Sequence, residues 1–195
     1  MFKLATIGLI RHGITNWNLE GRLQGSVDIP LNSTGRQQAE LLGVRLAQEE
    51  QWDLLMTSDL SRAAETAGII SSKLGLPVAQ ESSRIREISC GLLEGTNEAD
   101  RLNKWGPNWQ ELDLGMEPRA SVGRRGAEFI EELAVEYTGK RILIVSHGTL
   151  IAQSLKQLIP DHPWERSVKN TSITIVEYNE LAWSCPLYAC TKHLV

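Results

Sequence analysis

The chain is poor in cysteine, with three in 195 residues, at positions 90, 185 and 190. That odd number suits neither a disulfide framework nor a metal knuckle, and the expectation is a reducing compartment with Cys90 as a small buried hydrophobe. Long hydrophobic runs are missing too. The longest uncharged apolar stretch, residues 142–155, contains His147 and is too short to span a bilayer. Between Lys3 and Arg11 lie only seven residues, so no secretory leader is read there, and a soluble, cytoplasmic protein is expected. Basic runs are absent: Lys and Arg number 20 against 24 Asp and Glu, for a net charge of −4. That balance argues against nucleic acid as a partner. No His, Cys or carboxylate cluster has metal-ligand spacing, so no metal and no cofactor are expected. Neither repeats nor linker-like tracts occur.

What the chain does have is core-forming material. At 42% hydrophobic, it suits one domain spanning residues 1–195. Residues 4–10 and 53–57 read as buried strands, with a short strand near 78–80. The run 141–146 is the clearest strand, and 172–178 and 182–189 flank an Asn179-Glu180 turn as an edge hairpin. Helices are expected at 35–49, behind a Thr34/Gln37 capping box, and at 60–74, stopped by Gly75 and Pro77. Others follow near 97–104, at 118–138 where Phe129, Ile130, Leu133, Ala134 and Tyr137 recur at helical spacing, and at 148–159. Strands separated by helices predict a three-layer α/β/α sandwich. Its sheet would be mostly parallel with an antiparallel edge, and a small cap region would lie at about 92–126.

Three polar groups fall at the C-terminal ends of three expected strands: Arg11-His12-Gly13, then Ser58-Asp59 with Arg62, then Ser146-His147-Gly148. Parallel strands point the same way, so these tips can converge on one crevice. A histidine is a nucleophile, a guanidinium is a bidentate phosphate fork, and glycine exposes main-chain N–H groups. Arg62 stands in the first turn of its helix, where the dipole disfavours a cation unless an anion binds there. Its bland alternative is an ion pair with Asp59 or Glu65; for Asp59 the ordinary role is a helix N-cap. His162 and His193 carry no such context.

These residues resemble the histidine phosphatase (phosphoglycerate mutase-like) superfamily. The likeness runs through Arg11-His12-Gly13, Thr15, Trp17-Asn18, Gln24-Gly25, Asp28 with Pro30-Leu31, and Gly35 with Gln38-Ala39. It continues through Ser58-Asp59-Leu60, Arg62-Ala63, Glu65-Thr66-Ala67, Arg86-Glu87, Gly91, Glu94-Gly95 and Ser146-His147-Gly148, with a gap over about 96–126. The resemblance implies that His12 is phosphorylated and that Arg11, Arg62 and His147 surround the phosphoryl oxygens. Glu87 would be the acid and base on the leaving-group side. Asn18 and Gln24, with Thr15 and Gly148, would complete the phosphate pocket. Two guanidiniums and an imidazole can stabilise the charge of phosphoryl transfer as Mg²⁺ does elsewhere. His12 would need a hydrogen bond on its other ring nitrogen, for which a carbonyl near Gly13 or Thr15 is a candidate. For Glu87 the alternative is an ion pair with Arg84 or Arg86.

After Glu87 the chain reads Ile88-Ser89-Cys90-Gly91-Leu92-Leu93-Glu94-Gly95, which looks like the phosphatase version of the family rather than the mutase one. The expected function is a phosphomonoesterase of small phosphorylated metabolites, as a monomer or homodimer. Phosphoglycerate mutase-type transfer and a non-enzymatic phospho-ligand binder are the alternatives. The chain departs from the family at Ile14, where many members are acidic, and at Gly115-Met116-Glu117-Pro118, where many phosphatases have Gly-Glu-Ser. Trp105 and Trp109 are candidates for stacking on a leaving group, with core packing as the alternative. Lys104, Arg119, Arg124 and Arg125 read as a solvated helix face beside Glu128, Glu131 and Glu132, with recognition of additional phosphates or carboxylates as the alternative.

Overall fold

The computed structural model describes residues 5–49, 51–164, 167–179 and 181–195. Six strands run β1 (Ala5–Arg11), β2 (Leu54–Ser58), β3 (Val78–Ser82), β4 (Arg141–Ser146), β5 (Ile173–Tyr178) and β6 (Trp183–Cys190). They order as β3-β2-β4-β1-β5-β6 in one sheet. β1, β2, β3 and β4 pair in parallel, while β5 and β6 form the antiparallel edge. The helices are α1 (Asn16–Leu19), α2 (Ser33–Ala47), α3 (Ser61–Leu74), α4 (Glu98–Trp105), α5 (Arg119–Glu136) and α6 (Gly148–Leu158). Leu4 of the expected first strand and Glu180 of the expected turn lie outside the described residues.

Strand alternation builds the layers. Along β4, Ile142 and Ile144 join one apolar cluster with α5 and α6, while Leu143 and Val145 join a second with α2 and α3. β1 divides likewise, with Ile7 and Leu9 in the first cluster and Ile10 in the second. Both faces of the central strands are therefore dry, as a parallel sheet requires. Gly75 ends α3 in the left-handed conformation (φ 63°), the cap that its position predicted.

Two expected caps are corrected. The Thr34/Gln37 box does not form, because α2 begins two residues earlier and the Asn32 side chain accepts the Gly35 N–H. Asp59 does not cap α3; its carboxylate pairs with Arg86, and Asp28, distant in sequence, accepts the Ser61 N–H at 2.7 Å. The short α1 was not expected. It forms because Thr15 and Asn18 make a capping box of their own.

The loop after β1 reaches α2 through backbone contact. A Cβ at Gly35 would overlap the Ile14 carbonyl oxygen and lie 2.8 Å from Ile14 N, and one at Gly13 would meet Gly35. Gly35→Ala is expected to lower stability by about 1–3 kcal/mol, an overpacking cost that outweighs its better helix propensity. Gly68→Ala on α3, where a Cβ meets nothing within 4 Å, should instead raise stability by roughly 0.5–1 kcal/mol. Denaturant melts of the two variants check both signs; equal effects would refute the backbone contact as the constraint.

Candidate active site

Register brings the three strand tips level. Arg11 on β1 is paired with Ser146 on β4, and Thr57 on β2 is paired with Val145. Ser58, His147 and His12 therefore follow one another across the C-terminal end of the sheet. The rings of His12 and His147 lie 5.2 Å apart between centroids. A cleft of about 390 Å³ opens over His12, lined among others by Arg11, Asn18, Gln24, Arg62, Glu87 and Gly148, while His147 is buried behind it.

His12 is buried, and its Nδ1 lies 2.7 Å from the Gly13 carbonyl oxygen. A carbonyl only accepts, so Nδ1 carries the proton and Nε2 keeps its lone pair. Burial pushes this imidazole well below its usual range, and the Arg11 and Arg62 charges push it further. His147 is lowered in the same way, by burial first and then by Arg62. Its Nε2 is 2.9 Å from Ser58 Oγ, which also accepts the Leu60 N–H. If the Ser58 hydroxyl donates to Nε2, Nδ1 is the protonated nitrogen of His147.

The two arginines are fixed by carbonyl oxygens. Arg62 Nη1 and Nη2 donate to Val27 and Gly25, both at 2.8 Å, and Arg11 Nη1 donates to Val168 at 2.9 Å. Burial lowers both guanidiniums, Arg62 to about 10, so both stay charged at neutral pH. The expected alternative for Arg62 does not arise, since Glu65 pairs with Arg36 and Asp59 with Arg86. Among the described residues, Arg11 Nε, Arg62 Nε and His147 Nδ1 are buried without a hydrogen-bond partner. Gly148 keeps its place beside Arg11: a Cβ there would stand 3.3 Å from Arg11 Nε.

Glu87 takes neither Arg84 nor Arg86; Arg84 pairs with Glu132. Its carboxylate accepts N–H groups from Thr149 and Leu150, at the start of α6, and from Ile88. A carboxylate at a helix N-terminus is favoured by the dipole. Among the described residues Oε2 has a single partner, the Thr149 N–H, and so retains accepting capacity.

Residues 7–191 match the model of the histidine phosphatase superfamily (branch 1). The chain belongs to that superfamily. It is 32% identical to the uncharacterized phosphatase PhoE of Bacillus subtilis, over 98% of this chain and 97% of the relative. It is also 35% identical to the probable phosphoglycerate mutase GpmB of Escherichia coli O1:K1 / APEC, over 90% and 86%. Among solved structures, it resembles a phosphoserine phosphatase mutant from Entamoeba histolytica in complex with phosphoserine. There the TM-score is 0.83 at 27% identity, over 98% of this chain and 100% of that one.

Within this histidine phosphatase, Thr15 corrects an expectation. It is buried behind the cleft, its hydroxyl donating to Gln24 Oε1 at 2.9 Å and accepting the Asn18 N–H. That leaves Gln24 and Asn18 to present amide nitrogens to a ligand. Trp105 and Trp109 do not line the cleft: Trp105 packs on the core beside Lys104, and Trp109 donates to Glu98 under the Arg101 guanidinium. Arg119 and Met116 do line it, as does Arg22, so Arg119 departs from the solvated-face reading. Arg125 departs further, bonded to Glu117 and to three carbonyls. Cys90 lines the cleft with its thiol raised to about 12, chiefly by burial. Among the described residues no group of three or more His, Cys, Asp or Glu is placed to hold a metal, and no helix is long and apolar enough to cross a membrane.

Asn170 was missed. Its Nδ2 donates to the His12 and Gly13 carbonyls and to Asn18 Oδ1. Beside it, Thr171 adopts φ 52° and its N–H donates to Arg11 O at 2.9 Å. Only an Asn-Thr-Ser run before a strand marks this turn in sequence, and nothing there ties it to His12.

Three histidines are depressed, His193 to about 4 chiefly by burial, and the two at the site, His12 and His147, contribute to the pH dependence of stability. Unfolded, each titrates near 6.5; folded, both refuse the proton. The unfolded chain thus binds more protons below that pH, and stability, complete above it, is lost as pH falls. The Tm should drop between about pH 7 and pH 5, and a His12→Gln/His147→Gln double variant should flatten that slope. An unchanged slope in the double variant would mean that other groups control it.

Proposed function

We propose that this histidine phosphatase hydrolyses phosphomonoesters of small metabolites through a phosphohistidine on His12. The observation that carries the reading is a trio of buried nitrogens without partners, Arg11 Nε, Arg62 Nε and His147 Nδ1, around a neutral imidazole with a free Nε2. Such a cluster is short of an anion with several acceptor oxygens, and a phosphoryl group supplies one.

The chemistry then follows from positions. His12 Nε2 attacks phosphorus as the bond to the leaving oxygen breaks, and Glu87 gives that oxygen a proton. The ring gains positive charge as the P–N bond forms, and the Gly13 carbonyl at Nδ1 stabilises it. Arg11, Arg62 and His147 bind the three equatorial oxygens, where the transition state spreads its charge. Asn18 and Gln24 add amide donors. Water then attacks phosphorus, Glu87 takes its proton, and the P–N bond breaks to release phosphate. Residues 92–126 form the cap on the leaving-group side of a single 1–195 domain, with Met116 and Arg119 at the cleft. Both are exposed, so water reaches the rim, which favours hydrolysis over transfer to a second hydroxyl. The phosphatase name of the Bacillus subtilis relative supports the same branch.

Phosphate release from a panel of phosphorylated metabolites tests this. His12→Ala should lower kcat/KM on the order of 10³-fold or more, the scale of a lost covalent nucleophile, and a chelator should leave wild-type activity unchanged. Acid-labile label from a ³²P-ester should appear on the wild type and not on His12→Ala. Activity that survives His12→Ala, or an isomerised ester in place of inorganic phosphate, would sink the proposal.

A further inference from the structure

Arg125 stands on α5, outside the cleft, yet every N–H of its guanidinium is committed. Nε donates to Glu117 Oε1 at 3.0 Å, and Nη2 donates to Glu117 Oε2 and to the Glu87 carbonyl, both at 3.1 Å. Nη1 donates to the carbonyls of Arg84 at 2.8 Å and Arg86 at 2.7 Å. Arginine has five such donors, and all five are used on two targets: the Glu117 carboxylate and the backbone that carries Glu87. Glu117 closes the ring. Its Oε2 accepts the Ser89 N–H, and its own N–H donates to the Ser89 carbonyl at 2.8 Å. The backbone at residues 84, 86, 87 and 89 is thereby held at four points by one half-buried ion pair. On the other side of Glu87, the side chain is held by the Thr149 and Leu150 N–H groups. Glu117 in turn sits between Met116 and Arg119, which line the leaving-group end of the cleft.

We infer that Arg125, clamped to Glu117, is a positioning residue that sets the Glu87 carboxyl against the leaving-group oxygen. It also ties that carboxyl to the cap segment at 115–119. A fork geometry is needed for this. A lysine offers one point charge and cannot bridge a carboxylate and three carbonyls at once. An ordinary structural ion pair would stabilise the fold without preferring one substrate over another. A clamp on the proton donor acts only where the leaving group needs a proton.

The inference rests on Glu87 as proton donor, and the experiment separates the two. kcat/KM, which reports steps up to formation of the phosphoenzyme, is measured for wild type, Arg125→Gln, Glu117→Gln and Glu87→Gln. Two probes are used: an alkyl ester (glycerol phosphate), whose alkoxide needs a proton, and 4-nitrophenyl phosphate, whose phenolate leaves without one. For Arg125→Gln and Glu117→Gln the alkyl-to-aryl ratio should fall roughly tenfold or more, a fraction of what general acid catalysis supplies. Glu87→Gln should show the same split, larger. If both rates fall by one factor in the Arg125 and Glu117 variants while Glu87→Gln splits them, the clamp is structural and the inference is overturned. If Glu87→Gln shows no split, the proton-donor assignment fails and takes the inference with it. Should Arg125→Gln not fold by circular dichroism, the near-isosteric Glu117→Gln decides alone.

Discussion

Arg62 is a fully buried guanidinium with no carboxylate hydrogen-bonded to it among the described residues, and much of the architecture around the cleft is organised by that cost. Removing a cation from water carries a penalty of several kcal/mol even after relaxation. Here the compensation comes from the Val27 and Gly25 carbonyl dipoles, and it requires the loop that presents them to be held. Gly25 takes φ 53° to aim its carbonyl. Glu94 secures the loop through the Ser26 N–H and the Cys90 N–H, and Asp28 anchors its far end on Ser61. The Arg62 backbone is used as well: its carbonyl accepts from Thr66 Oγ1, which accepts the Gly13 N–H. One helix thus supplies the buried charge and fixes the loop of the neighbouring histidine.

Burial first, and then the Arg11 and Arg62 charges, keep His12 neutral. An imidazolium between two guanidiniums would stack three cations in a dry space, so the proton is expelled and Nε2 stays free to attack. The sheet makes the arrangement rigid. A strand slip of one residue would turn each tip to the opposite face, and His12, Ser58 and His147 would no longer share one end of the sheet. Parallel pairing in the centre, with both faces packed, leaves no room for such a slip.

Most of the layer order was legible in the sequence because strand and helix periods do not depend on partners at a distance. The β4 strand at 141–146 and the Gly75 cap needed only local pattern. The convergence of Arg11, Arg62 and His147 around His12 was legible for a related reason, since the ends of parallel strands must meet; Glu87 was reached only through the family resemblance. What stayed hidden depends on contacts between segments far apart in the chain. Asp28 capping α3, Asn170 bracing the His12 carbonyl, and Arg125 seated among the carbonyls of 84–87 each replace a local expectation with a remote partner. Arg125 is the clearest case: Glu128 and Glu132 follow it one and two turns on along an exposed face, while the carbonyls it binds lie about forty residues away.

Charge counting connects the two halves of the site. Arg11 and Arg62 bring two positive charges, and a phosphate ester near neutral pH brings up to two negative ones, with both histidines uncharged. Such a cluster is already balanced before chemistry begins. In the mechanism proposed above, the proton that Glu87 gives to the departing alkoxide is matched by the positive charge that the phosphohistidine ring gains, and the attacking water returns a proton to Glu87. Substrate charge and proton transfer are in this way locked to the same two arginines, neither of which needs to titrate.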